Sequence, residues 1–231
     1  MIILKTDLTD TDKYIQYIQD LYDISISNHL EVHVPTIDLK ELETVEWNIG
    51  LVCGGSGSGK STILKQQFGM YVNPIYDSKK PIISQFPTLE PKQVCDIFDS
   101  VGLSSVPIWL RKPHELSVGE KARLDLAYQI IDAVNRKTVL LVDEFTSTIN
   151  REVAKSLAFG LQRYLRKNNL KAVISSCHFD IVEYLQPDWI FNLNKRIEDK
   201  VELEVLEYKG DKYKNYKPLN LDSKLTEEVV I

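Results

Sequence analysis

Residues 51–64 read LVCGGSGSGKSTIL. The apolar run of Leu51, Val52 and Cys53 extends "WNIG" upstream and stops at a bend made of Gly54, Gly55, Ser56, Gly57, Ser58 and Gly59. Lys60, Ser61, Thr62, Ile63 and Leu64 then return to a composition that suits a helix. A short buried strand, a bend that needs glycine's conformational freedom and a helix start make one unit. In it the backbone N–H groups curl toward a common centre, and the helix N-terminus adds its partial positive charge. Gly54-x-x-x-x-Gly59-Lys60-Ser61 has the complete spacing of a phosphate-binding loop. In such a loop Lys60 reaches the β and γ phosphates and the Ser61 hydroxyl can ligate Mg²⁺. Gly54, Gly55, Ser56, Gly57, Ser58, Gly59, Lys60, Ser61 and Thr62 are therefore expected to hold a nucleoside triphosphate. They do not reveal what happens to its γ-phosphate.

The chain of 231 residues suits one large α/β domain with small additions. Its 26% charged residues are ordinary for a soluble protein, and a net charge of −5 sets up no global field that would draw in nucleic acid. Three widely separated cysteines, Cys53, Cys95 and Cys177, form neither a zinc pattern nor a disulfide framework, and read as cytosolic thiols. The start, MIILKTDLTD, lacks the apolar core of a signal peptide, and no apolar run is long enough to span a membrane, so a cytoplasmic location is expected.

Periodicity gives the remaining elements. Tyr14, Ile15, Ile18, Leu21 and Tyr22 form a helical stripe expected to pack on the main domain. "HLEVHVP" alternates as a strand with His29 and His33 on one face, too few ligands for a metal site. "KKPIISQFP" is predicted as a short strand, "PKQVCDIFDSVG" as a helix, and "SVGEKARLDLAYQIIDAVNR" as a long amphipathic helix. "TVLLVDEF" reads as a buried strand, "REVAKSLAFGLQRYLRK" as a helix and "LKAVISSCH" as a further buried strand. Strands alternating with helices predict an α/β fold with a mostly parallel sheet and ligands at the strands' carboxyl ends.

Asp143 and Glu144 end the strand "TVLLV". The first acid suits a carboxylate that holds Mg²⁺ through water, and the second can deprotonate an attacking water. A small-molecule kinase needs no such second acid, so hydrolysis is favoured.

"LSVGEKARLDLA", from Leu116, resembles the signature motif of ABC-type ATPases at the start of a helix. The order of motifs strengthens the likeness: Gln85 lies between the phosphate loop and the signature, and His178 ends a later strand. The resemblance covers about residues 45–195, with a small helical subdomain at about 88–130. Residues 1–44 are read as a helix and strand on this core, and 196–231 as a terminal hairpin and tail. It implies ATP and Mg²⁺ as ligands, with Ser61, Gln85 and Asp143 serving the metal. Glu144 is then the general base, Gln85 lies near the metal and water, and His178 contacts the γ-phosphate. Ser117 and Gly119 cap the nucleotide of an opposing subunit, so a head-to-tail homodimer is expected.

The sequence also departs from the family. Phe145 replaces a proline, Val118 a signature glycine, and Asn150 the aspartate of the loop that approaches the nucleotide. The "GEK" continuation and the short segment between Gln85 and Ser117 resemble the chromosome-maintenance and DNA-repair branch more than transporters. The expectation is a soluble motor or switch acting on nucleic acid or a protein partner. A transporter subunit that meets a membrane permease is less favoured, and a non-catalytic ATP-gated module is a third reading. "YKGDKYKNYKPLN", residues 208–220, interleaves lysine and tyrosine and could bind single-stranded nucleic acid, although a solvated tail is the simpler reading.

Overall fold

A computed structural model describes residues 2–7, 12–23, 29–196, 200–206, 208–209 and 217–218. The elements run β1 (Ile2–Asp7), α1 (Lys13–Tyr22), β2 (His29–Val34), α2 (Leu39–Glu43), β3 (Ile49–Cys53), α3 (Lys60–Ile63), α4 (Pro91–Ser100) and α5 (Val106–Trp109). They continue with α6 (Val118–Arg136), β4 (Leu140–Val142), α7 (Arg151–Lys167), β5 (Ala172–Ser176), α8 (Val182–Leu185), β6 (Trp189–Asn192) and β7 (Leu203–Val205).

The five-stranded sheet has the order β4-β5-β3-β6-β7, parallel except for the edge strand β7. The strand of the phosphate loop, β3, is central, and every one of its residues is buried. Alternate side chains enter two cores, as the two-residue period of a strand demands when helices cover both faces. Ile49, Leu51, Ile174 and Ile190 point into the core built with α4, α6 and α7. Val52, Val173, Trp189 and Phe191 point into the other, which holds Val34, Ile37, Leu42, Trp47, Ile63 and Leu64. Trp189 meets Trp47 edge-on at 5.6 Å and stacks near Phe68 at 6.3 Å. Gly50 lies directly against this indole, where an added Cβ would be 1.8 Å from Trp189 Cζ2. Only a hydrogen fits there.

A buried ion pair fixes the entry to β3. Arg166 Nη1 donates to Asp188 at 2.9 Å, and Asp188 Oδ2 also accepts the N–H groups of Asn48 and Ile49 at 2.7 and 2.8 Å. These bonds satisfy a carboxylate that would be costly to bury alone.

The expected helices at 91–100, 118–136 and 151–167 form, as do the strands β3, β4 and β5. Caps define them: Ser117 and Glu120 make a reciprocal capping box on α6, and Glu90 and Gln93 do so on α4.

Two expectations are corrected. "KKPIISQFP" is not a strand but a 3₁₀ turn, Ile82–Gln85. Pro81 fixes the entry, and the Gln85 side chain bonds the backbone of Asp77 and Lys80, groups that are thereby bonded locally. The stripe on α1 is not buried among the described residues either. No residue of α1 is buried, and Tyr14, Ile18 and Leu21 stay exposed at 67%, 45% and 57%. Helical spacing states that a face is apolar, not what covers it. β1, β6 and β7 were not anticipated. Strand β1 pairs antiparallel with β2 in a separate two-stranded sheet. Lys212, Tyr213, Lys214 and Tyr216 of the Lys/Tyr stretch lie outside the described residues.

Candidate phosphate-loop and acid-pair site

The strand order brings the sequence motifs to one edge. Gly54–Gly59 leaves the carboxyl end of β3, Asp143 and Glu144 leave β4, and Cys177 and His178 leave β5, which lies between the other two. In a parallel sheet this is the edge at which ligands bind.

The loop is built around left-handed glycines. Gly57 has φ +76° and Gly59 φ +99°, and a Cβ on Gly59 would lie 2.7 Å from Val34 Cγ1 at the end of β2. Lys60 is nearly buried, and its Nζ donates to the carbonyls of Gly54 and Gly55 at 2.8 and 2.7 Å. Its positive charge therefore sits directly beneath the bend. Asn194 Oδ1 accepts the Gly55 N–H at 3.1 Å and holds the rim of the loop. Ser56 is exposed, Ser61 and Thr62 are half-buried in the first turn of α3, and Ser58 Oγ is buried without a partner.

Asp143 Oδ1 accepts a hydrogen bond from Ser175 Oγ on β5 and one from Glu144 N at 3.1 Å. Ser175 Oγ in turn accepts from Glu144 N at 3.0 Å. One buried hydroxyl thus fixes both acids. Glu144 and Thr146 occupy left-handed backbone conformations, φ +50° and +66°, so the turn is sharp and exposes the Glu144 residue. Phe145 N donates to Ser175 O at 2.8 Å, a bond that proline could not make, and its ring is buried in the core. His178 N donates to Ser176 Oγ at 3.0 Å. Partial burial and the Arg151 charge hold its imidazole below the ordinary histidine value, partly opposed by Asp180.

The remaining sites stand apart in their bonding. Ser117 caps α6, and both its N–H and its hydroxyl bond Glu120 Oε2 at 2.8 Å. Those two bonds hold the Glu120 carboxyl below the usual range. Nothing lies within 4 Å of a Cβ added to Gly119, so no packing within the chain requires glycine there. Gln85 is placed in its own loop: its Oε1 accepts from Asp77 N and its Nε2 donates to Asp77 O and Lys80 O, each at 2.9 Å. A role at the metal requires release of these bonds. Asn150 caps α7, accepting from Glu152 N at 3.0 Å.

Sequence reasoning missed Ser175, Asn194 and a bridge from Tyr76 to α6. Tyr76 donates to Asp125 at 2.9 Å, and Lys121 both pairs with Asp125 and lies 4.3 Å over the Tyr76 ring. The signal for Ser175 was present: a polar pair at the end of an apolar strand beside the acids.

Among the described residues, no group of three or more His, Cys, Asp or Glu could hold a metal. Ser61 and Asp143 nevertheless offer oxygen donors of the kind that bind Mg²⁺ when phosphate and water complete its shell. No helix among the described residues is long and apolar enough to cross a membrane.

No protein-family model matches the sequence, and neither does any curated protein. Solved structures do resemble it. A dimeric bacterial ABC transporter cassette superposes with TM-score 0.50 at 13% identity, over 69% of this chain and 85% of that one. An ATP-binding cassette of another ABC transporter gives 0.51 at 14% identity, over 70% and 82%. A metal-chelate type ABC transporter in an inward-facing conformation gives 0.50 at 16%, over 77% and 88%. These are ABC transporters or their cassettes and lend no support to the chromosome-maintenance branch, while identities this low show the fold alone. The chain has the α/β fold of an ABC ATP-binding cassette.

Proposed function

We propose that the protein is an ABC-type ATPase, with its core at residues 45–195, that closes as a homodimer on Mg²⁺ and ATP and hydrolyses the nucleotide to ADP and phosphate. The observation that carries this reading is the convergence, at one sheet edge, of the phosphate loop, the acids tied through Ser175, and His178.

The loop amides and Lys60 bind the phosphates, and Ser61 with Asp143 holds Mg²⁺. When bound, that ion would neutralise phosphate charge as a Lewis acid. Glu144 takes the proton of the attacking water, its exposed position leaving room for that molecule. His178 donates a hydrogen bond toward the γ-phosphate. Gln85 would serve the metal and water only with its bonds to Asp77 and Lys80 released. Asn150 borders the nucleotide from the cap of α7. Ser117 and Gly119 close on the partner subunit's nucleotide, and the open space at Gly119 supports an approach from outside the chain. One of the structures it resembles is a dimeric cassette.

The test is Glu144→Gln. It should retain ATP binding, lose on the order of 10²–10⁴ in turnover, and accumulate an ATP-bound dimer. Wild-type turnover in that variant would remove Glu144 from the role. Turnover in the unsubstituted protein also separates an enzyme from an ATP-gated binding module.

Two outputs follow from different observations. The short segment between Gln85 and Ser117 and the "GEK" continuation favour a soluble motor acting on nucleic acid or a protein. The transporter cassettes it resembles favour a subunit that meets a membrane permease. The trapped Glu144→Gln dimer used as bait distinguishes them: recovery of a multispanning protein in fixed stoichiometry supports the second reading. Turnover raised by a soluble partner or nucleic acid supports the first.

A further inference from the structure

Arg151 opens α7 directly after Asn150, and its guanidinium is divided between two loops. Nε donates to Asp180 Oδ2 at 3.0 Å and Nη2 to Asp180 Oδ1, a two-point fork on one carboxylate. Nη1 turns the other way, to the Thr146 carbonyl at 3.4 Å and its hydroxyl at 3.3 Å. Thr146 lies two residues beyond Glu144, and Asp180 two beyond His178. At their bases, on β5, the two loops share Ser175 and Ser176, whose hydroxyls bond Glu144 N and His178 N. At their far ends the Arg151 fork joins them.

We propose that Arg151 is a positioning residue that latches the loop carrying His178 to the turn carrying Glu144, so that the groups acting on the γ-phosphate and on water are held in one register. The inference rests on the ATPase reading given above. The acid turn has particular need of such a hold, because its two left-handed residues, Glu144 and Thr146, persist only where the surroundings over-determine them. The side chains of the Arg151–Asp180 pair are also 35% and 40% exposed, and an exposed ion pair contributes little to global stability. A displacement of about 1 Å in a reacting group, by contrast, can cost ~10²-fold in rate. The latch should therefore act on turnover far more than on folding. Its charge also disfavours protonation of His178.

Two measurements on Arg151→Met test it, one independent of ATP. In the ligand-free protein, amide exchange at residues 144–149 and 177–181 should rise together by ~10-fold or more, with the protection of β3 and β5 unchanged. In turnover, kcat should fall about 10- to 100-fold while KM for ATP stays constant, because the phosphate loop is untouched. Arg151→Lys, which keeps the charge and loses the fork, should restore only a minor part of kcat. Unchanged exchange at 177–181 overturns the latch, and so does raised exchange with unaltered kcat. A large fall in Tm with exchange rising throughout the sheet also overturns it, since Arg151 would then be merely structural. If the unsubstituted protein does not hydrolyse ATP, it is the ATPase reading that fails, and the exchange arm alone decides the latch.

Discussion

Ser175→Ala tests the acid site where the tertiary structure is most specific. Ser175 is fully buried, and its hydroxyl donates to Asp143 Oδ1 while accepting the Glu144 N–H at 3.0 Å. Removing it leaves Asp143 with the Glu144 N–H at 3.1 Å, and Glu144 N with that one acceptor. A hydrogen bond to a charged group contributes about 1.5–3 kcal/mol, or roughly 10- to 150-fold in an equilibrium or rate at 1.36 kcal/mol per decade. Asp143 is half-buried, so water replaces part of the lost donation and the lower end applies, about 10-fold. The loss should appear in kcat and as a higher Mg²⁺ concentration at half-maximal rate, because the carboxylate proposed to hold the metal has lost an anchor. KM for ATP at saturating Mg²⁺ should be unchanged. The assay is steady-state phosphate release across a Mg²⁺ titration. A variant with wild-type kcat and wild-type Mg²⁺ dependence would refute the view that this hydroxyl organises the acids.

Gly50→Ala forces a methyl into the face of Trp189, and overpacking of this kind costs about 1–3 kcal/mol, here toward the upper end because Trp189 is wholly buried. That corresponds to a Tm lower by roughly 6–12 °C at ~2–4 °C per kcal/mol, and an unchanged thermal scan would refute the packing. Mixed dimers of Ser117→Arg and Lys60→Ala subunits should recover turnover above either parent, because one composite site remains intact. Absence of complementation would refute sites shared between subunits. His178 titrates below the ordinary histidine range in the folded chain, so folding opposes its protonation. Stability should therefore be insensitive to this group above that range, and decline as pH falls through the unfolded and then the folded value. His178→Gln should flatten that decline, and an identical pH–stability profile in the variant would refute the assignment.

Local sequence determined the form of the phosphate loop, because that form depends mainly on contiguous backbone: glycines that allow the bend, a lysine beneath it and a helix behind it. The acids, the signature cap and the long helices were legible for the same reason, since caps and periodicity act within a few residues. Sequence also fixed the two-sided burial of β3, β4 and β5, which their unbroken apolar runs require. Contacts between distant segments were not legible in this way. That Asp188 seats the start of β3 through Arg166, that Ser175 joins Asp143 to Glu144, and that Arg151 joins the turn of Glu144 to the loop of His178 depend on strand order. The Gln85 segment reads as an apolar strand until its side chain is seen bonding its own loop, a choice made by geometry around Pro81. The amphipathic pattern of α1 was real, yet Tyr14, Ile18, Leu21 and Tyr22 of its apolar face are exposed. Periodicity records the preference of a face for cover, whereas only the packed fold decides whether the chain itself provides it.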